Sequence, residues 1–494
     1  MEKQSFKLDS DIAWNVFSIN ADMECETEDD FPAIHTLRHT SQVCSSWRDL
    51  IVSSPSLWAR VINGDSLRAE RWRKEVLNRT GCCSLSVRGE TDQEGVISLL
   101  VENWPRIRHL TLNFVRSTPK KFKQDMDLWT LLVRPANVLE SFQLSLRITV
   151  SDYWEPNGIF SPPDFTIFDN HAPLLKHFSA MGINSDIRAD WALQLRHLAL
   201  STPIPVHELI EALSHLPFLE TLEDRFSHAV VRGDPERSRC LPKIALPRLK
   251  NILISTKVDI TPYMDFLAQV EPVYDRVLAF NSEPCQSRYI PDLQGIAAVS
   301  EILCIYSNQA DLGASTKVTL RLFRSEFTIK ALLPARREFR FSQECRSDFP
   351  ADDTVNQLLS AFHPPTFHDV RILDLHVAAE CGISLMDPNF INFIMSFPSL
   401  DILDTSPMTL DFLLGLPEGI LKAVFPVMQE IQIYSPMDNE IASVRAFILS
   451  RSALGVPISI LNVRKLGWRD LKNLGPLEEC VGLTVTVISL NRKT

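Results

Sequence analysis

Apolar residues Leu8, Ile12, Val16 and Ile19 recur at helical spacing and predict a short amphipathic helix over Leu8–Asn20. Asp9 or Ser10 can cap the free amide groups at its start. A second helix is expected from about Ile34, turning Leu37, Val43, Cys44, Trp47, Leu50 and Ile51 inward or toward a partner. Pro55 stops it and begins a short last turn that holds Leu57 and Trp58. Between these helices "ADMECETEDD" carries five carboxylates in its last seven residues, too polar to bury, and predicts a mobile loop. A third helix is expected over roughly Ser66 to Asn78, with Leu67, Trp72, Val76 and Leu77 apolar, and "SLSVRG" then alternates as a strand.

Farther on, one frame recurs: Pro, an apolar residue two positions later, and apolar residues spaced as on a strand. It appears at Pro105 with Ile107, Leu110 and Leu112, and at Pro173 with Leu175, Phe178 and Ala180. It returns at Pro217 with Leu219 and Leu222, and at Pro247 with Leu249, Ile252 and Ile254. Pro398 leads Leu400 and Leu403, and Pro426 leads Met428, Ile431 and Ile433. Copies without Pro occur at Leu139-Phe142-Leu144, Leu195-Leu198-Leu200 and Val370-Leu373-Leu375. Neighbouring copies lie mostly roughly 20 to 36 residues apart, against the 20–29 typical of leucine-rich repeats.

The last two apolar positions of the frame share one face of a strand, and the first packs from the preceding turn. Apolar helical runs such as "VISLLVENW", "LIEALSHL" and "INFIMSF" precede several copies. A helix, a turn and a strand per unit make a solenoid module that must stack on its neighbours to bury its apolar face. The alternative is an ordinary α/β domain with Pro-marked loops. "KVTLRLFRSEFTIKALLPARREFRFS" breaks the frame and alternates like two or three antiparallel strands, an irregular unit or an inserted hairpin.

With 45% hydrophobic and 22% charged residues, composition places the chain among ordinary globular proteins. With 494 residues the chain exceeds a single ordinary core, so several domains or an elongated array are expected. Gly is scarce at 16 while Pro reaches 31, which disfavours Gly-rich nucleotide-binding folds. The net charge of −11 argues against nucleic acid as the main partner, and the basic run "RAERWRK" reads as a solvated helix face. No secretory signal and no apolar run of membrane-spanning length is visible, so a soluble cytoplasmic or nuclear protein with no membrane partner is expected. The ten Cys are scattered without C-x-x-C pairs and read as reduced thiols, several of them buried.

Little in the sequence suggests catalysis. There is no Gly-rich phosphate loop, G-x-S-x-G elbow or H-E-x-x-H motif. His35 and His39 stand at a metal-ligand spacing but lack a third ligand, and two helix-surface residues are the simpler reading. Cys82-Cys83 reads as packing rather than as a reactive thiol. Trp14, Trp47, Trp58 and Trp72 read as core or interface anchors. No cofactor, metal or catalytic residue is assigned.

The N-terminal residues resemble an F-box. "LDSDIAWNVF" resembles its opening L-P-x-E-I-x-x-x-I-F, with Asp9 where the family has Pro and Asp11 where it has Glu. "LRHTSQVCSSWRDLIVSSPSLWARV" resembles the remainder, a V-C-x-x-W-R core followed by a Ser-Pro-x-Leu-Trp end. "ERWRKEVLNRTGCCSLSV" resembles the segment that follows the F-box in a large group of fungal F-box proteins with leucine-rich-repeat-like C-terminal parts. The resemblance implies an α/β chain opening with a three-helix F-box over residues 1–65, with an acidic loop at 20–31. It implies a linking helix and first strand over 66–90, and an irregular leucine-rich-repeat-like solenoid over 91–494.

It also implies a function. The F-box would bind the Skp-family adaptor of a cullin–RING ubiquitin ligase, and the repeats would hold a protein substrate for ubiquitin-dependent degradation. Adaptor contact would fall to Leu8, Ile12, Val16, Phe17, Val43, Cys44, Trp47, Leu57 and Trp58. The expected role is a non-catalytic substrate receptor of an SCF-type ligase. The alternative is a repeat scaffold whose F-box is degenerate and engages no ligase.

Overall fold

The computed structural model describes residues 9–23, 31–90, 94–123, 125–148, 158–200, 202–227, 230–231, 241–256, 260–282, 293–344, 353–362, 367–434, 436–437, 440–466, 474–478 and 480–490. The chain is mixed α/β, and its strands lie mostly parallel. It divides into two compact units, Met1–Ile204 with Glu211–Leu222, and Pro205–Ile210 with Glu223–Thr494.

The first unit opens with four short helices, α1 (Ser10–Asn20), α2 (Ala33–Thr40), α3 (Ser45–Val52) and α4 (Pro55–Ala59). Strand β1 (Ile62–Asn63), helix α5 (Glu70–Arg79) and strand β2 (Leu85–Gly89) follow. Strands β3 (Ile107–Arg116), β4 (Ser141–Ile148), β5 (His177–Met181) and β6 (His197–Leu200) extend a parallel sheet in chain order from β1. Their register aligns the apolar frame, with Leu110, Phe142, Phe178 and Leu198 side by side. Phe168 packs 5.1 Å from Phe142 and Trp191 4.6 Å from Phe178, so one aromatic seam joins successive strands.

The turn that carries the frame has a single geometry. In Trp104–Ile107, Ala172–Leu175, Leu216–Leu219, Leu246–Leu249, Phe397–Leu400 and Phe425–Met428, the last amide donates to the first carbonyl. Proline therefore takes the second position of a four-residue turn, where its fixed φ fits and its missing N–H is not needed. The copies without Pro at Ala136–Leu139, Ala192–Leu195 and Phe367–Val370 make the same bond. Each turn leads into a strand, and the first apolar side chain is buried beneath it.

In the second unit the sheet contains β7 (Asn251–Thr256), β8 (Val277–Ser282), β9 (Lys317–Phe323), β10 (Glu326–Leu332) and β11 (Glu338–Glu344). It continues with β12 (Ile372–Val377), β13 (Ile402–Thr405), β14 (Glu430–Tyr434), β15 (Ile460–Leu466) and β16 (Thr484–Leu490). The order is β7-β8-β11-β10-β9-β12-β13-β14-β15-β16. Among the described pairings, β10 runs against its neighbours, antiparallel to both β9 and β11. The pattern-breaking stretch is thus a three-strand excursion inside a parallel sheet, since β8 pairs in parallel with β11 and β9 with β12. Two buried arginines tie loop carbonyls together in this unit. Arg276 donates to the carbonyls of Leu246, Leu249 and Glu271, and Arg451 to those of Leu421, Val424 and Phe425.

Three local expectations need correction. The second helix is two, α2 and α3, because the chain leaves the helix at Ser41–Cys44. The Thr40 and Ser41 hydroxyls donate to the carbonyls of Thr36 and Arg38, and Cys44 is extended. The third helix starts at Glu70 rather than near Ser66, because Asn63 Oδ1 accepts the amides of Asp65 and Ser66 and holds a turn there. The sheet begins at Ile62, earlier than the first strand expected at "SLSVRG".

Candidate functional site

The four N-terminal helices enclose a small core of Phe17, Ile34, Leu37, Ile51, Leu57 and Trp58, all buried. Trp58 is its largest member. Its indole Nε1 donates to the Ile51 carbonyl at 2.9 Å, its ring meets Trp72 edge-on at 6.3 Å, and the Arg79 guanidinium lies 4.7 Å from its centroid. Glu75 holds that guanidinium through a 2.9 Å ion pair. On the other side Trp47, half-buried, stands edge-on to Phe17 at 5.2 Å and ties α3 to α1. Pro55 starts α4 without needing an amide partner, and the Ser54 hydroxyl donates to the Leu50 carbonyl across the corner.

The nine residues expected to contact a partner therefore separate by depth. Phe17, Leu57 and Trp58 have no meaningful exposed surface in this chain and build its core. Trp47 is half-buried. Ile12 is 54% exposed, Val16 44% and Val43 64%, although all three are aliphatic. Cys44 is also exposed, with Sγ 3.3 Å from the Ser46 hydroxyl. That hydrogen bond, the Trp47 and Ser46 amides and the Arg48 charge lower its thiol pKa from the ordinary value. Leu8 lies outside the described residues, as do residues 24–30 of the acidic loop.

Helical spacing puts Ile12, Val16 and Ile19 on one face of α1, and Ile19 is exposed like the other two. The adjoining face, about 100° further round the helix, supplies the buried Ala13 and Phe17. The helix is thus apolar on two faces, a pattern that the wish to bury every apolar residue in one core would misread. Asp9 caps its first turn, accepting the Asp11 amide at 2.8 Å.

A second group is polar and escaped the sequence reading. On β12 and β13 the frame leaves Asp374 and Asp404 side by side in register, both buried. The Lys317 ammonium on β9 lies 3.2 Å from Asp374 and 3.5 Å from Asp404. His376 Nε2 meets Asp374 at 2.8 Å, and Arg464 meets Asp404 at 3.5 Å. Burial alone would raise the Asp374 carboxyl, but His376 and Lys317 hold it at about 2. Asp404 is raised, by burial first and then by the Asp374 charge. The available signal was the Leu-Asp pair repeated in "RILDLHV" and "DILDT", thirty residues apart.

Among the described residues no group of three His, Cys, Asp or Glu side chains could hold a metal ion, and no helix is long and apolar enough to cross a membrane. Cys82 is exposed, so a packing role for it fails. Scans against protein-family models and against curated proteins return no match for this chain.

Proposed function

We propose that the N-terminal helices are an F-box, that the helix–turn–strand succession beyond them is a leucine-rich-repeat-like solenoid, and that the chain is the substrate receptor of a cullin–RING ubiquitin ligase. The observation that carries this reading is the exposure of the aliphatic Ile12 and Val16 on α1 and of Val43 before α3, while Phe17, Leu57 and Trp58 are buried in the core. Aliphatic side chains left in water next to a completed core favour a partner that covers them. The sequence resemblance names that partner as a Skp-family adaptor. The strands would hold the substrate, and the chain would act by raising substrate concentration near the ligase without chemistry of its own. Its place of work would be the cytoplasm or nucleus.

Affinity capture of the full chain from cell extract tests this. The wild type should bring down the adaptor and its cullin, and an Ile12→Asp/Val16→Asp variant should lose both while retaining its fold. A wild-type chain that recovers neither leaves the scaffold reading in its place.

A further inference from the structure

The excursion β9–β11 differs from the rest of the chain in charge as well as in strand direction. Residues 317–344 carry seven Lys or Arg against three Glu, in a chain of net charge −11. Alternation buries Val318, Leu320, Leu322, Phe327, Ile329, Phe339 and Phe341 on one face and leaves the charges on the other. Lys330 stands directly opposite Arg340 across the β10–β11 pair, and Arg321 lies diagonally from Lys330 across the β9–β10 pair. Directly opposed side chains have Cβ atoms about 5 Å apart and diagonal ones about 7–8 Å, and like charges so placed repel.

Most of the neighbouring cations are occupied. Lys317 pairs with Asp374 and Asp404, Arg337 with Asp275 at 2.6 Å, and Arg340 with Glu338 at 2.5 Å. Among the described residues no carboxylate lies within ion-pair distance of Lys330 or Arg321. Burial and the Arg340 and Arg321 charges depress the Lys330 ammonium pKa against the opposite pull of Glu338 and Glu326. Placing two cations across a strand pair on an acidic protein costs stability, and an anion laid over them would offset that cost.

We infer that the charged face of β9–β11 binds an acidic peptide segment of a partner protein, with Arg321 and Lys330 as its anion contacts. An extended peptide repeats side chains on one face roughly every 7 Å, which matches the diagonal from Arg321 to Lys330. Glu338 and Glu326 interrupt the cations; they tolerate separate carboxylates but repel a continuous phosphate backbone, as does the net charge of −11. The inference rests on strand register and holds whether or not the N-terminal helices dock an adaptor.

Fluorescence anisotropy on the full chain tests it, using a labelled peptide with Glu at alternate positions, its Gln counterpart, and a single-stranded oligonucleotide of equal length. The Glu peptide should bind, more weakly as salt rises, and roughly tenfold or more tighter than either other probe. Arg321→Glu/Lys330→Glu should abolish binding, Arg321→Gln/Lys330→Gln should weaken it, and Lys74→Glu on α5 should leave it unchanged. If the charge reversal lowers the melting temperature, the Gln pair replaces it as the test. Equal binding by the Gln variant, equal affinity for the Gln peptide, tighter binding of the oligonucleotide, or no binding of the Glu peptide at low salt overturns the inference.

Discussion

Trp58 Nε1 donates to the carbonyl of Ile51 across 2.9 Å, joining α4 to the last turn of α3 over the Ser53–Pro55 corner. The bond closes a buried core, and no part of the ring faces water. Trp58→Ala should therefore act on folding. Loss of a fully buried Trp typically costs about 3–5 kcal/mol, enough to melt a small helical packet. Thermal unfolding should show the loss, and Ile12→Ser, on the exposed face, should change stability by no more than about 0.5 kcal/mol.

The two aspartates of the polar group should respond to pH in opposite directions. Asp374 has a folded pKa depressed to about 2, so its contribution is present above the unfolded value near 4 and is lost as pH falls through the folded value. Asp374→Asn should cost on the order of 2 kcal/mol at neutral pH and flatten the acid limb of the stability curve. Asp404 is raised, so its carboxylate costs stability above the folded pKa, and the cost vanishes as pH falls below the unfolded value. Asp404→Asn should leave melting at neutral pH unchanged or higher. Melting temperature against pH for the two variants checks both signs.

How much was legible follows from what each residue reports. The Pro frame was legible because Pro at the second position of a turn reads the same wherever it occurs, and Leu110, Phe142, Phe178 and Leu198 then fall in register. The strand excursion announced itself through its alternation. The break at Ser41–Cys44 was hidden, since the apolar spacing of Leu37, Val43, Cys44 and Trp47 suits one helix. Depth was hidden too. Spacing puts Val16 and Phe17 next to each other without saying that one is exposed and the other buried, because that depends on where Trp47 arrives from α3. Pairing of Asp374 with Asp404 depends on register between strands thirty residues apart, which periodicity along one strand does not encode.

Arg451 satisfies three buried carbonyls with its guanidinium, at 2.8, 2.7 and 2.8 Å. Arg451→Leu keeps the bulk and removes every donor. Each orphaned buried acceptor costs about 1–3 kcal/mol, so this variant should lose well over 2 kcal/mol in denaturant unfolding. Arg451→Lys should recover part of the loss, because an ammonium reaches fewer carbonyls than a planar fork.

Lys330 opposite Arg340 gives a stability signature independent of any ligand. Lys330→Gln removes the opposed charge and should raise stability by about 0.2–1 kcal/mol, read as a higher melting temperature at low salt that converges with wild type at high salt.

The proposed partner of the exposed apolar face of α1 is a Skp-family adaptor. Calorimetric titration of the purified full chain with that adaptor measures the docking directly. The wild type should bind at micromolar concentrations or tighter, Ile12→Asp should weaken binding by more than roughly tenfold, and circular dichroism should be unchanged. No heat of binding from the wild type, or equal binding by Ile12→Asp, would rule out adaptor docking on this face.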